Sequence, residues 1–225
     1  MATVKKHDFV ELEYTGRTKE DNAVFDTTEE KVARQNDAYD EHSDYRPAVI
    51  CIGENFLVKM LEEQLIGKET GKDYVIEVSH QDAFGNKDAK LIQMIPLNKF
   101  RQQKIEPFPG LQLNIDGVFG IIRTVSGGRC MVDFNHPLAG KDLVYEVKIN
   151  KIVHDDKEKL NSLLKMLLHV KDAEIELKDG SATISLKHEM PKEAHQELQK
   201  VVDRLVPAVK KLDFTIAQEK KAVGK

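Results

Sequence analysis

The sequence predicts an α+β chain of three parts. These are a larger sheet domain with a short helix, a small β unit inserted into it, and a C-terminal αββαβ unit. Three observations carry this. Runs such as "FVELEYTG" and "LVYEVKINKIV" alternate apolar and polar residues with the period of a half-buried strand. Between them, "LQLNIDGVFGIIRTVSGGRCMVDF" holds three strand-like runs joined by the hairpin signals "DG" and "SGG". After residue 153 two helical stripes flank a second D-G hairpin.

The elements follow in order. In "FVELEYTG", Val10, Leu12 and Tyr14 share one face and Glu11 and Glu13 the other; "AVFDTT" is short and extended. The polar stretch 29–47 reads as a surface loop with at most a short helix, and "PAVICIG" as a strand. "ENFLVKMLEEQLIG" is a short helix with Phe56, Met60 or Leu61, and Leu65 at helical spacing and Gly67 past its end. "DYVIEVSHQDAFG" is a strand and a turn. "LIQMIPLNKFRQQKIEPFPG", broken by three prolines, reads as an irregular connector. In the C-terminal part Asp155, with Glu158 three residues on, caps a helix carrying Leu160, Leu163, Leu164 and Leu167. Ile175 and Leu177 are expected to face Ile184 and Leu186. A second helix carries Ala194, Leu198, Val201, Leu205 and Val209, and Pro207 should kink or end it. "LDFTIAQ" is a last strand, followed by a frayed tail.

Composition narrows the function. The chain has 225 residues, 40% hydrophobic and 32% charged, with net charge −4. That balance is globular and not that of a basic polyanion binder, so no nucleic-acid partner is expected. Cys51 and Cys130 sit in apolar runs and read as small buried hydrophobes in a reducing interior. No leader and no apolar run of membrane-spanning length is visible, so the expectation is a cytoplasmic chain without membrane contact. The eight histidines show no ligand spacing; His188 and His195 stand seven apart across a proline. Neither a metal nor a cofactor is expected. The motifs G-x-S-x-G, P-loop and G-x-G-x-x-G are all missing, so a hydrolase with an activated nucleophile finds no support.

What remains is an ordered set of apolar and aromatic residues with one carboxylate: "YTG" at 14–16, "FD" at 25–26, "ICIGENFLVKMLEEQLIG" at 50–67, "AFG" at 83–85 and "NHPLAGKDLVYEV" at 135–147. Each alone is ordinary core or turn. Their joint order resembles the FKBP-type peptidyl-prolyl cis/trans isomerases, and within them the SlyD-like branch, where an insert-in-flap domain interrupts the isomerase domain. "NHPLAGKDL" is the most specific match, supported by "DAFG" and "LIQMIP". The resemblance spans about residues 3–153, and the tail is similar to that of long archaeal members, where it serves dimerisation.

The resemblance implies an FKBP-like domain, an antiparallel half-barrel around a short helix, at 1–86 and 135–153, an inserted chaperone domain at 87–134 and a dimerising domain at 154–225. It implies a pocket in which Tyr14 is a wall with a hydroxyl, Phe25 a wall and Asp26 the carboxylate at its edge. Leu57 offers its backbone N–H to a substrate carbonyl, followed by Val58. Leu61 is the floor where many members have Trp. Phe84 stands where a Tyr usually donates, and Leu138 and Tyr145 close the far side. It implies no cofactor. The partners would be unfolded, proline-containing polypeptides and a second copy of the chain. In the insert, Ile95, Phe100, Val118, Phe119, Ile121, Ile122, Met131 and Phe134 are either its core or an exposed patch for unfolded chains, and the resemblance favours the patch. A different class of function, a non-catalytic holdase on a retained scaffold, would follow if Leu61 and Phe84 had ruined the pocket.

Overall fold

A computed structural model describes residues 1–115, 117–170, 173–187 and 190–216. The tail at 219–225, His188, and Asp116 of the first "DG" signal lie outside the described residues. The fold is α+β, with largely antiparallel sheets and few helices. The described residues divide into two compact units: those of Met1–Gly16, Val24–Ile76 and from Tyr145 onward form the first, and those of Arg17–Ala23 with Glu77–Val144 the second.

The first unit is built on a five-stranded sheet. Its strands are β1 (Phe9–Thr18), β2 (Val24–Thr27), β3 (Ala48–Cys51), β4 (Lys72–Val78) and β9 (Leu143–Val153). They run in the order β2-β1-β9-β4, and β3 lies antiparallel on β1 with Phe9 opposite Cys51 and Leu12 opposite Ala48. Alternation does what the sequence asks of it: Val10, Leu12, Tyr14, Tyr145, Val147 and Ile149 are buried. The polar loop holds only the short α1 (Glu30–Gln35). Helix α2 (Lys59–Leu65) is shorter than its pattern, buries Leu61 and Leu65, and is followed by Gly67 at φ +85°.

The C-terminal elements belong to this same unit. Helix α4 (Asp156–Leu168) starts where the Asp155 carboxylate accepts the Glu158 N–H at 2.8 Å. Strands β10 (Glu174–Lys178), β11 (Ser181–Leu186) and β12 (Lys211–Ile216) form a three-stranded sheet, with β11 and β12 parallel across helix α5 (Lys192–Leu205). The αββαβ order of the sequence is therefore the order of the elements. Helix α5 ends two residues before Pro207, and Val209 lies beyond it, buried. Leu160, Leu163, Leu164, Leu198, Val202 and Leu205 join Phe9, Cys51 and Val153 in one hydrophobic cluster. Two expectations need correction. Ile175 lies opposite Ile184 as expected, but Leu177 lies opposite Ala182, because the turn at Asp179 and Gly180, both at positive φ, fixes a two-residue loop. Leu167 is exposed, since the buried stripe of α4 runs through Leu160, Leu163 and Leu164.

The second unit carries a four-stranded antiparallel sheet of β5 (Ile92–Pro96), β6 (Gln112–Ile115), β7 (Val118–Ser126) and β8 (Arg129–Asp133), in the order β5-β8-β7-β6. The supposed irregular connector is a strand and a helix, β5 followed by α3 (Leu97–Gln102). Pro96 permits both. It ends an edge strand, where a missing N–H costs little, and directly precedes the helix, where its fixed φ is already helical. Phe100 of α3 closes the core over Ile122, Cys130 and Val132.

Candidate functional site

On the first unit the structure brings together Tyr14, Phe25, Asp26 and Tyr145. The Tyr14 hydroxyl donates to Asp26 Oδ2 at 2.8 Å. The rings of Phe25 and Tyr145 meet edge-on at 5.7 Å, and those of Tyr14 and Tyr145 lie 6.4 Å apart, tilted by 54°. The β1–β2 hairpin sets this arrangement. The Thr28 N–H donates to the Tyr14 carbonyl at 2.9 Å, the Tyr14 N–H donates to Thr28 Oγ1 at 2.9 Å, and Thr15 and Thr27 share a hydroxyl bond at 2.8 Å. Period two then presents Tyr14 and Asp26 to each other.

The electrostatics follow from the aromatic surroundings. Burial, then the Asp26 charge and its hydrogen bond, push the Tyr14 hydroxyl far above its ordinary pKa. Burial and the same charge raise that of Tyr145. Although Asp26 is exposed as a residue, desolvation beside the rings dominates at its carboxyl and raises its pKa; the Tyr14 hydroxyl and the Thr27 N–H pull the other way. Neither tyrosine gives up its proton at neutral pH, so the cluster can hold and polarise a ligand but cannot attack one. Burial, with Glu54 and Glu62 nearby, also pushes the Cys51 thiol up to about 12, which removes it as a nucleophile. Among the described residues no group of His, Cys, Asp and Glu could hold a metal.

Leu57, Val58 and Leu61 lie at the start of α2. Leu61 is fully buried, and Leu57 and Val58 are half-buried. The Leu57 N–H is engaged: it donates to Glu62 Oε1 at 2.7 Å. Glu62, only 1% exposed, also accepts the N–H groups of Gly53 at 2.7 Å and Asn55 at 3.1 Å. The sequence gives no sign of this, because Glu62 and Glu63 look alike in "MLEEQL". Gly16 also escapes sequence reasoning. A Cβ there would stand 2.6 Å from Phe25 Cζ and 2.9 Å from Tyr145 Cε1. The signal was present as the G of "YTG", but its reason is close packing against two rings.

Phe84 and Leu138 belong to the second unit. Phe84 stacks on His136 with ring centroids 4.3 Å apart, and Leu138 is half-buried with its N–H donating to His136 Nδ1 at 3.2 Å. In the "NHPLAG" stretch, Asn135 has a structural task. It accepts the Asp88 N–H at 2.8 Å, donates to the Asp88 carbonyl at 3.0 Å, and donates from side chain and backbone to Asp133.

The apolar residues of the inserted sheet separate into groups. Ile95, Phe100 and Phe134, with Ile105, Leu113 and Ile115, line a trough of about 420 Å³ rimmed by Gln93, Lys99, Gln103 and Asn114. Phe119, Ile121 and Met131 alternate onto the opposite face, where Met131 pairs with Met94. Val118 is exposed at the start of β7. Ile122 is not part of any patch: it is fully buried with Cys130 and Val132, because it shares their face of the sheet.

Comparison with known proteins fits this arrangement. Residues 93–138 match the family described as "FKBP26, IF domain". A short-type peptidyl-prolyl cis-trans isomerase of Methanocaldococcus jannaschii is 32% identical over 155 residues, covering 69% of this chain and 98% of that protein. The FKBP-type 16 kDa peptidyl-prolyl cis-trans isomerase of Escherichia coli is 30% identical over 111 residues, 48% of this chain and 74% of its own. The SlyD isomerase of Vibrio cholerae is 33% identical over 101 residues, 43% of this chain and 50% of its own. With the ordered motifs and the aromatic–carboxylate cluster, a match spanning nearly the whole archaeal relative leads to one conclusion: this chain belongs to the family of FKBP-type peptidyl-prolyl cis-trans isomerases, on the side of the SlyD-like members that carry an IF domain.

Proposed function

We propose that this protein isomerises X–Pro bonds in unfolded polypeptides and holds those chains while it does so. The observation that carries the proposal is the Tyr14–Asp26 hydrogen bond set among the rings of Phe25 and Tyr145 on the first unit. The barrier to rotating a peptide bond, about 18–20 kcal/mol, comes from amide resonance, whose planar form is charge-separated. An apolar surface that receives the prolyl ring disfavours that form and lets the preceding carbonyl turn. No nucleophile is consumed, which agrees with the high Cys51 thiol pKa. In this reading Tyr14, Phe25 and Tyr145 hold the ring, Asp26 and the Tyr14 hydroxyl supply the polar edge, Leu61 is the floor, and the Leu57–Val58 segment receives the substrate carbonyl. Phe84 and Leu138, on the second unit, are proposed on their own to contact polypeptide substrate.

Under the same proposal residues 87–134 act as an inserted client-binding domain, whose trough takes apolar side chains of an unfolded segment. Residues 154–225 pair two copies through β10, β12 or the exposed Leu167, which light scattering of the full chain reads as a dimer mass or refutes as a monomer. Within a cell, a cytoplasmic site suits this activity; no helix of the described residues is long and apolar enough to cross a membrane.

A second reading, the non-catalytic holdase, draws on one observation: the Leu57 N–H is already bonded to Glu62. Replacing Ile95 and Ile115 of the trough by Gln separates the two. An isomerase keeps its rate on a short prolyl peptide and loses at least about tenfold on an unfolded protein, the loss matching a client-binding contribution of about 1.4 kcal/mol. A holdase accelerates the peptide in neither form.

A further inference from the structure

The loop between β3 and α2, residues 52–58, is held from two sides. From below, Glu62 gathers the N–H groups of its odd-numbered residues Gly53, Asn55 and Leu57. Glu54 and Phe56, between them, engage the C-terminal elements instead. Glu54, 14% exposed, forms a two-pronged ion pair with Arg204 of α5, in which Nη2 donates to Oε2 at 2.7 Å and Nη1 to Oε1. His7 Nδ1 lies 3.3 Å from the same carboxylate. The Arg204 guanidinium is the main cause holding the Glu54 carboxyl below its usual pKa. Phe56, the residue before Leu57, packs against the cluster containing Leu198, Val202 and Leu205 of the same helix. Gly53 and Asn55 both take positive φ, 92° and 60°, so the loop turns sharply twice and its path depends on these anchors.

We propose that α5 positions the isomerase site: through Arg204–Glu54 and Phe56 it fixes where the Leu57–Val58 segment stands, and so sets how well the prolyl substrate's carbonyl is bound. The C-terminal segment is then part of the catalytic device as well as an assembly unit. This rests on the role given above to the Leu57–Val58 segment. Arg204, Glu54 and Phe56 are positioning residues and touch no substrate. A purely structural role would lower the amount of folded protein, and thus apparent kcat, while leaving KM alone. A positioning role raises KM.

The test uses the full-length chain and a short X–Pro peptide, with rates read from NMR exchange and the loop from the backbone amide resonances of Asn55 and Leu57. Arg204→Ala is expected to raise KM about three- to fivefold, the scale of one partly exposed ion pair, and to move both amides. Arg204→Lys should recover part of the loss. The reversed pair Arg204→Glu with Glu54→Arg should recover more than either single change allows. KM and amide positions unchanged in Arg204→Ala, beside an active unaltered chain, overturn this proposal alone. An unaltered chain with no exchange activity overturns the isomerase reading and this proposal with it.

Discussion

Replacing Gly16 by Val is expected to lower isomerisation of a prolyl peptide by about a hundredfold, the cost of misplacing catalytic groups by about an ångström. The added Cβ would stand within 2.6–2.9 Å of Phe25 and Tyr145 ring atoms, a distance real side chains do not tolerate. One of the rings must move, which breaks their edge-on packing at 5.7 Å. Overpacking of this kind also costs about 1–3 kcal/mol of stability, so Tm should fall by several degrees while the chain stays folded. Activity within twofold of the unaltered chain would show that the Phe25–Tyr145 geometry is not part of the site. Gly16→Ala should fall between the two, because its methyl meets the same ring atoms without the two extra carbons.

The second large effect is expected at Asp133, in the other unit. Its side chain is 2% exposed and accepts from Arg123 at 2.9 and 3.1 Å, from Lys87 at 3.3 Å, and from the side chain and N–H of Asn135. Burial alone would raise this carboxyl. The bonds from Asn135, Arg123 and Lys87 outweigh it and pull the pKa down to about 2. Asp133→Ala leaves two cations and an amide without their shared acceptor. Arg123 and Lys87 are each more than 40% exposed and are solvated once released, so the loss should be about 1–3 kcal/mol, set by the buried Asn135 amide and seen as faster hydrogen exchange in β5, β7 and β8. The pH dependence has a definite sign. Because the folded pKa lies below the unfolded one, the contribution is complete above about pH 4 and is lost as pH falls toward 2. In Asp133→Ala that acid-dependent part of the stability of the second unit should vanish. An unchanged acid limb would mean that the network contributes nothing to holding the sheet.

Much of this architecture is legible in the residues because it rests on local chemistry. The alternation of β1 and β9, the S-G-G hairpin of β7 and β8, and the Asp155 cap of α4 are each decided within a few positions. β5 and α3 were hidden because the sequence shows prolines but not which strand lies at an edge. Pro96 is harmless only because β5 has one neighbour. The site separates in the same way. Tyr14, Asp26, Phe25 and Tyr145 are marked by residue type and order. Gly16, Glu62 and Asp133 are defined by groups that the fold brings to them from other elements, and one sequence holds no trace of that proximity. Charged residues such as Glu62 and Asp133 read as solvated until the structure gives each its donors.

Isomerisation at this site is tested most directly by cis-to-trans exchange of a short X–Pro peptide, followed by NMR with catalytic amounts of the full-length protein and of its Val58→Trp variant. Val58 is half-buried where the chain enters α2, and an indole there fills the space proposed for the prolyl ring. Clear acceleration is expected from the unaltered chain and none from Val58→Trp at equal folded concentration. No acceleration by the unaltered chain at any concentration, or undiminished acceleration by Val58→Trp, would contradict the assignment of the isomerase to this pocket.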